Sequence, residues 1–219
     1  QDITVNVTNV NDNTPSITSN ATFSAAENQT AIGTVTATDA DGDTVSYSLS
    51  GTDASSMSID SSSGVLTFNS APDYETKTSY SATVTASDGT NSSTQNITVN
   101  VTNVNDNTPS FTSSATFSAA ENQTAIGTVT ATDADGDILS YSLSGTDASS
   151  MSINSSSGVL TFNSAPDYET KTSYAATVTA SDGANSVTQN VTINITNVNE
   201  SPVFTSSATF SAAENQTSI

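Results

Sequence analysis

Carboxylates are the side chains of this sequence with the clearest potential for chemistry. The 219 residues include 22 Asp and Glu against two Lys, so the formal net charge is −20, and there is no His or Cys. Acidic residues recur in a fixed order in each half of the sequence, close to the ends of apolar runs. In the first half they are Glu27, Asp39-Ala40-Asp41, Asp73-Tyr74-Glu75, Asp88 and the oxygen-rich elbow from Asn103 to Pro109.

A divalent metal is the first candidate partner, because acids in such excess over bases repel one another unless cations intervene. Calcium prefers all-oxygen sites, whereas zinc and copper favour the His and Cys ligands that the sequence lacks. Asp39 to Asp43 also suggests the start of a helical calcium loop. That pattern fails, since Gly42 stands at the fourth place instead of the sixth and Ser50 occupies the place of the closing glutamate.

The composition argues against several other functions. Nucleic acids and anionic membrane surfaces need clustered Lys and Arg, and only Lys77 and Lys171 are present. Membrane insertion is not expected, because no apolar run is long enough to span a bilayer. An enzyme is not expected either, since there is no His or Cys to act as base or nucleophile and no Gly-rich phosphate loop. The lack of Cys excludes disulfides but is compatible with an extracellular protein.

The sequence contains a long internal repeat. A shift of 94 residues aligns 16–105 with 110–199, and 79 of these 90 positions are identical. This period suits one small domain per repeat better than a solenoid unit of about 20–50 residues. We therefore expect the end of one repeat at 1–15, complete repeats at 16–109 and 110–202, and the start of another at 203–219.

Apolar residues alternate with small polar ones inside each repeat. Examples are Val45-Tyr47-Leu49, Tyr80 to Ala86 and Ile97-Val99-Val101, and the runs are separated by Asp-Gly, Ser-Gly or Pro. Period two over short runs predicts about seven antiparallel strands in a two-sheet β-sandwich, with Phe23 closing the core. The outward positions are mainly Thr, Ser and Asn, typical of a solvated sheet face. An alternative interpretation is that rows such as Thr34-Thr36-Thr38 bind ice or carbohydrate.

The ordered acidic motifs resemble the cadherin repeat. Its hallmarks are an early Glu, an Asp-x-Asp, an Asp-Arg-Glu, an x-Asp-x and a terminal Asp-x-Asn-Asp-Asn-x-Pro, and the resemblance covers both complete repeats and the two partial ones. It implies an all-β fold of tandem seven-stranded Greek-key sandwiches (Ig-like or cadherin-like) arranged end to end. It also implies an extracellular or cell-surface location and Ca²⁺ bound between successive domains. The low Lys content and the near-identical copies resemble a bacterial type of this repeat.

Carried over position by position, the resemblance implies three groups of metal ligands. The complete junction comprises Glu27, Asp73, Glu75, Val104 (through its carbonyl), Asn105, Asp106, Asn107, Asp133, Asp135 and Asp182. A partial N-terminal junction comprises Asn11, Asp12, Asn13, Asp39, Asp41 and Asp88. A partial C-terminal junction comprises Glu121, Asp167, Glu169, Asn199 and Glu200.

Three positions depart from the family pattern. Asn103 stands where the family has Asp, so we expect one ion to bind more weakly or to redistribute its ligands. Tyr74 stands where the family has Arg, with little expected consequence for coordination. At the last elbow Glu200-Ser201 replaces Asp-Asn and one residue is missing, so that junction is expected to bind fewer ions or to bend differently.

The sequence thus predicts a calcium-rigidified structural or adhesive segment of an extracellular stalk, adhesin or filament. Expected partners are the adjacent repeats of the same chain, together with a protein (another copy or a cell-surface protein) or a glycan. The partial repeats leave open whether chains polymerise through their termini.

Overall fold

Strands make up almost all of the regular structure. The computed structural model describes residues 1–206, 208–209 and 211–217. The chain divides into two compact units, Gln1–Asn107 and Thr108–Ile219. The regular elements of the described residues are strands and two short 3₁₀ helices, Ala54–Ser56 and Ala148–Ser150. The predicted all-β class is confirmed.

The strands of the first unit are short except for the last two. They are β1 (Ser16–Ile17), β2 (Thr22–Ala26), β3 (Ala31–Thr34), β4 (Ala37–Thr38), β5 (Ser46–Ser50), β6 (Met57–Ile59), β7 (Val65–Phe68), β8 (Ser79–Ser87) and β9 (Ser92–Thr102). They form a four-stranded sheet in the order β2-β9-β8-β5, a three-stranded sheet in the order β3-β7-β6, and a separate β1-β4 pair.

The second unit repeats this arrangement. Its strands are β10 (Ser110–Phe111), β11 (Thr116–Ala120), β12 (Ala125–Thr128), β13 (Ala131–Thr132), β14 (Ser140–Ser144), β15 (Met151–Ile153), β16 (Val159–Phe162), β17 (Ser173–Ser181) and β18 (Ser186–Thr196). The sheet orders are β11-β18-β17-β14, β12-β16-β15 and β10-β13. The two copies therefore share one topology.

The strand prediction needs two corrections. The chain before Glu27 forms two strands, β1 and β2, and the chain between Glu27 and Asp39 forms two more, β3 and β4, so each repeat has nine strand segments instead of about seven. The pairing is also not purely antiparallel, because β2 runs parallel to β9 with Phe23 opposite Val99. The cause is a change of sheet: β1 pairs with β4, and the chain then crosses to the edge of the four-stranded sheet.

The core follows the predicted alternation. Leu66, Val84 and Val99 are fully buried, and Phe23 packs against them from the edge strand. The second copy exchanges Ile97, Val99 and Val101 for Val191, Ile193 and Ile195, and all of these side chains are at most 5% exposed. Exchanges that nearly conserve volume keep a packed core intact.

The two lysines are engaged away from the acidic loops. Lys77 donates a hydrogen bond to Asp53 and lies 4.4 Å from the ring centroid of Tyr80. Asp53 also accepts the backbone N–H of Ser81 at 2.8 Å. Lys171 makes the same ion pair with Asp147 in the second repeat. Lys77 and Lys171 therefore do not neutralise the acidic loops.

Gly64 tests how closely the turn between β6 and β7 packs against the residue that follows β3. Its φ is +71°, and a Cβ there would lie 2.1 Å from the carbonyl oxygen of Val35. We expect Gly64→Ala to lower the free energy of unfolding by roughly 2–5 kcal/mol, combining the left-handed backbone penalty with overpacking. The measurement is urea unfolding of the whole chain in calcium-free buffer.

Gly42→Ala is the matched control, because Gly42 has a φ of +80° but a Cβ added to it would meet no heavy atom within 4 Å. Only the backbone penalty of about 1–2 kcal/mol is expected there. Equal destabilisation by both substitutions would contradict the packing at Val35.

Candidate metal centre

The elbow before the first repeat is fastened to the loop after β4. The backbone N–H groups of Asp12 and Asn13 donate to Asp41 Oδ2 at 3.0 and 2.8 Å. The Asn13 side chain donates to Asp41 Oδ1 at 2.8 Å, and the Asn9 side chain donates to the carbonyl oxygen of Asp41. Asn13 is the main cause of the lowered pKa of Asp41, through its backbone N–H first. Asp41 thus connects the elbow to the first repeat.

Two neighbouring aspartates of this N-terminal pole each use one oxygen to shape a loop. Asp39 Oδ1 accepts the N–H of Asp41 at 2.9 Å, and Asp88 Oδ1 accepts those of Thr90 and Asn91, both at 2.7 Å. The N–H of Asn91 is the main cause of the lowered pKa of Asp88. Asp39 Oδ2 and Asp88 Oδ2 are buried with no hydrogen-bond partner among the described residues. A buried carboxylate oxygen without a donor is costly, and a cation would relieve that cost.

Asn11 and Asn13 also contact the strand-end turn that holds Asp88. The Asn91 side chain donates to Asn11 Oδ1 at 3.0 Å and to the Asn13 carbonyl oxygen at 3.2 Å. All six residues predicted for the N-terminal junction therefore lie in or beside this network of the first unit.

The opposite, C-terminal pole of the first unit is built on a buried glutamate. Glu27 is 3% exposed. Its Oε2 accepts the N–H of Tyr74 at 2.8 Å, and its Oε1 accepts the N–H of Val104 at 2.7 Å. Carboxylate bonds to backbone N–H groups are among the stronger hydrogen bonds in proteins. This side chain therefore joins the end of β2, the turn before β8 and the elbow after β9.

Glu27 brings two further predicted ligands together. One oxygen each of Glu27, Glu75 and Asp106 lies within 4.8 Å of the others. The Asn28 side chain donates to Asp106 Oδ2, and the Asn107 side chain donates to Asp106 Oδ1 at 2.9 Å. The spacing is compatible with ligands around one cation.

The C-terminal pole of the second unit keeps this geometry despite its altered elbow. Glu121 is also 3% exposed and accepts the N–H groups of Tyr168 at 2.9 Å and Val198 at 2.7 Å. Oxygens of Glu121, Glu169 and Glu200 lie within 4.8 Å of one another. The longer side chain of Glu200 therefore brings a carboxylate to its group although the elbow is one residue shorter.

Asparagines hold two of these carboxylates. Asn122 donates to Glu200 Oε1 at 2.6 Å, as Asn28 does to Asp106 in the first repeat. Asn197, the counterpart of Asn103, donates to Glu169 Oε1 at 3.0 Å. At this position a neutral side chain stands where the family pattern has an Asp, whose charge would repel Glu169, and it donates a hydrogen bond to Glu169 instead.

The second unit gathers its own aspartates at the loop after β13. Oxygens of Asp133, Asp135 and Asp137 lie within 4.8 Å of one another. Loss of solvation, followed by the charges of Asp133, Asp135 and Asp182, raises the pKa of Asp137. Asp182 Oδ1 accepts the N–H of Ala184 at 2.7 Å, as Asp88 does in the first repeat. These groups carry like charges at short range.

Some predicted ligands are not brought into these groups. Asp73 accepts from the Thr76 N–H and hydroxyl, and Asp167 does the same with Thr170, whose hydroxyl is the main cause of the lowered pKa of Asp167. Asn105 and Asn199 lie in the elbows after β9 and β18. The roles of these residues, and of the Val104 carbonyl, stay predictions.

Sequence reasoning missed Asp43 and Asp137, which join the Asp-x-Asp groups, and Asn28 and Asn122, which hold an elbow carboxylate. Asn28 has a φ of +60° and Asn122 a φ of +62°. Asn tolerates this left-handed conformation better than most residues. An Asn directly after each buried Glu was therefore an available signal, and so was the third Asp of Asp-Ala-Asp-Gly-Asp.

The donor set at both poles fits calcium. The groups gathered there consist of carboxylate oxygens, and calcium takes six to eight oxygen ligands. Asp39 and Asp88 each have a buried oxygen that accepts no hydrogen bond from the described residues. A lysine could neutralise such an oxygen, but Lys77 is paired with Asp53.

Comparison with known proteins points in the same direction. A family model described as "Cadherin domain" matches residues 20–102 and 115–196. Mouse Protocadherin Fat 4 is 32% identical over 194 residues, which are 80% of this chain and 4% of that protein. The Drosophila melanogaster protein called "Protocadherin-like wing polarity protein stan" is 33% identical over 232 residues, 93% of this chain and 6% of that protein. The chain therefore spans only a small part of these relatives.

Solved structures share the fold. Mouse Cadherin-23 EC22-24 superposes with a TM-score of 0.71 and 26% identity, covering 86% of this chain and 66% of that one. Protocadherin Gamma B2 extracellular cadherin domains 3-6 give a TM-score of 0.73 and 25% identity, covering 88% and 55%. The predicted tandem β-sandwich fold is confirmed. These relatives are animal proteins, and the comparisons do not support the bacterial type that composition suggested.

Glu27 is expected to stabilise the first repeat even without metal. Glu27→Gln places an amide NH₂ against one of two backbone N–H donors and removes the charge, so it should lower the free energy of unfolding by about 1.5–3 kcal/mol. Urea unfolding in calcium-free buffer measures this. Asp2→Asn, which removes one exposed charge and introduces the residue of the equivalent position Asn96, is the control and should change little. Equal stability of both variants would contradict the role of Glu27.

The lowered pKa values of Asp41 and Asp88 predict acid sensitivity of the calcium-free chain. An Asp whose folded pKa lies below its unfolded value of about 3.9 contributes stability above that value and loses it as pH falls through the folded pKa. The melting temperature should therefore fall as the pH is lowered below about 4. Asp41→Asn should make this decline shallower, and an unchanged profile would count against the Asn13 contacts.

Proposed function

The chain belongs to the cadherin family, and on that premise we propose that it is a calcium-rigidified adhesive segment of an extracellular stalk, adhesin or filament. Cadherin repeats lie outside the cell or at its surface, and the family consists of adhesion proteins, not enzymes. No helix among the described residues has the length and apolar character needed to cross a membrane.

The observation that carries the proposal is the fastening of the first elbow to Asp41. Two backbone N–H groups and one side-chain amide of the elbow donate to this carboxylate. Asp39 and Asp88 beside it each keep a buried oxygen that accepts from no donor among the described residues. An elbow that follows one repeat is thus held by the loops of the next. The remaining oxygens are suited to a cation that both segments share.

For the joint between the two complete repeats, the proposed ligands are those implied by the family resemblance. The first repeat would supply Glu27, Asp73, Glu75, Asp106, the Val104 carbonyl, Asn105 and Asn107. The second repeat would supply Asp133, Asp135 and Asp182. The gathering of Glu27, Glu75 and Asp106 in one unit and of Asp133 and Asp135 in the other supports this assignment.

Charge explains how such a joint works. Clustered carboxylates repel one another, and the chain carries a net charge of −20 that its two lysines cannot offset. Calcium, when bound, supplies the positive charge and the shared coordination that restrain the elbow. The hydrogen bonds of Glu27 and Asp41 hold the elbows beside these carboxylates beforehand.

The proposed partner is a protein, either a second copy of the chain or another cell-surface protein, in addition to the neighbouring repeats. The comparisons give no support to a glycan partner, nor to ice or carbohydrate binding by the Thr-rich faces. Calcium-dependent clustering of beads coated with the chain would test the homophilic form, and beads that stay dispersed at millimolar calcium would contradict it.

Removal of calcium should loosen and destabilise the chain. A site with a Kd of about 10⁻⁴ M contributes about 2 kcal/mol per ion at about 2 mM calcium. We therefore expect chelation to lower the melting temperature and to broaden the distance distribution in small-angle scattering. Magnesium at equal concentration controls for charge screening and should restore less, because it demands a smaller octahedral site. Unchanged melting and scattering after chelation would refute the mechanism.

A further inference from the structure

A third aspartate lies in the loop that follows β4. One oxygen each of Asp39, Asp41 and Asp43 lies within 4.8 Å of the others. Asp133, Asp135 and Asp137 form the same group in the second repeat. The cadherin motif described above contains only the first two of each three. Asp43 and Asp137 therefore have no role assigned by the family pattern.

The backbone of the loop brings the third carboxylate to the first two. Asp39 Oδ1 accepts the N–H of Asp41 at 2.9 Å and that of Asp43 at 3.3 Å, so the loop winds around the first side chain. Gly42 has a φ of +80°, which lets the chain reverse direction between them. The backbone N–H of Asp135 donates to Asp133 Oδ1 at 3.0 Å in the second copy. The Asp-Gly-Asp spacing is thus part of how the loop folds.

The three carboxylates of the first repeat differ in what their oxygens accept. Asp41 accepts three hydrogen bonds from the elbow, through both of its oxygens. Asp39 Oδ2 and Asp43 Oδ2 are buried and have no hydrogen-bond partner in the part of the chain that the structure describes. Asp88 Oδ2 shares this property. The oxygens left for a ligand thus come from Asp39, Asp43 and Asp88.

A protein cation does not satisfy these oxygens. Lys77 is paired with Asp53, and Lys171 with Asp147. Burying carboxylate oxygens beside one another without a donor or cation is unfavourable, because both desolvation and like-charge repulsion oppose it. A metal ion with several oxygen ligands is the partner that fits.

We propose that Asp43, and Asp137 in the second repeat, are calcium ligands that extend the Asp-x-Asp pair to three carboxylates. The proposal rests on the calcium-binding function proposed above and adds residues to it. A further carboxylate raises the charge of the ligand set, which is a principal determinant of calcium affinity.

The test compares two double variants of the whole chain by calorimetric calcium titration. The first is Asp43→Asn with Asp137→Asn, which keeps side-chain shape and removes one charge from each group. The control is Asp2→Asn with Asp60→Asn, which removes the same charge and introduces residues that the equivalent positions Asn96 and Asn154 already carry. Asn154 caps Ser156 and Ser157 as Asp60 caps Ser62 and Ser63, so the fold accommodates the exchange.

We expect the Asp43/Asp137 variant to bind calcium about ten-fold more weakly than the parent and the control to bind like the parent. Without calcium, the melting temperature of the Asp43/Asp137 variant should equal or exceed that of the parent, since a source of repulsion is gone. A merely structural role for these side chains predicts the reverse, a lower melting temperature without calcium and an unchanged affinity, and that result would overturn the proposal.

A further variant, Asp39→Asn, separates this inference from the proposed function. If the parent binds calcium and Asp39→Asn weakens binding while the Asp43/Asp137 variant does not, only the extended ligand set is wrong. If the parent shows neither heat of binding nor a calcium-dependent melting shift, both the extended set and the proposed function are wrong.

Discussion

A buried glutamate that accepts two backbone N–H groups is the interaction on which the C-terminal acidic pole of each unit depends. Glu27 reaches Tyr74 and Val104, and Glu121 reaches Tyr168 and Val198, so one side chain fixes a turn and an elbow together. Ionised groups are seldom buried without such partners, because desolvation is costly. The two bonds make burial possible, and burial sets the distance to the neighbouring carboxylates.

The N-terminal pole meets the same electrostatic constraint in another way. Asp39 and Asp88 are not deeply buried as whole residues, but one oxygen of each shapes a loop by accepting nearby backbone N–H groups. The second oxygen of each is then held in place without a donor from the described residues. One pole therefore uses a long-range glutamate and the other uses local turns. Both arrangements orient oxygens that repel one another in the absence of a cation.

The sequence predicted the features that follow from local pattern. Alternation of apolar residues identified the inward faces of β8 and β9, and the ordered acids identified the two poles. It did not predict the crossing of the first strand between sheets, because parallel pairing of β2 with β9 depends on contacts between residues far apart in the sequence, such as Phe23 and Val99. Asp43 was missed for a related reason: its position beside Asp39 and Asp41 depends on how the loop winds around Asp39, which residue spacing alone does not specify.

Comparison of the two repeats shows which side-chain positions the fold keeps and which residues it can exchange. The core exchanges Ile and Val freely, and Asp60 becomes Asn154 with its turn contacts retained. At the last elbow the sequence changes more, since a residue is missing and Glu200 stands for Asp106. Even so, Glu200 accepts from Asn122 as Asp106 accepts from Asn28, because the additional methylene of Glu lengthens the reach of the carboxylate. Both copies keep a carboxylate oxygen beside the buried glutamate. The shorter elbow places it there with Glu, and the longer elbow does so with Asp.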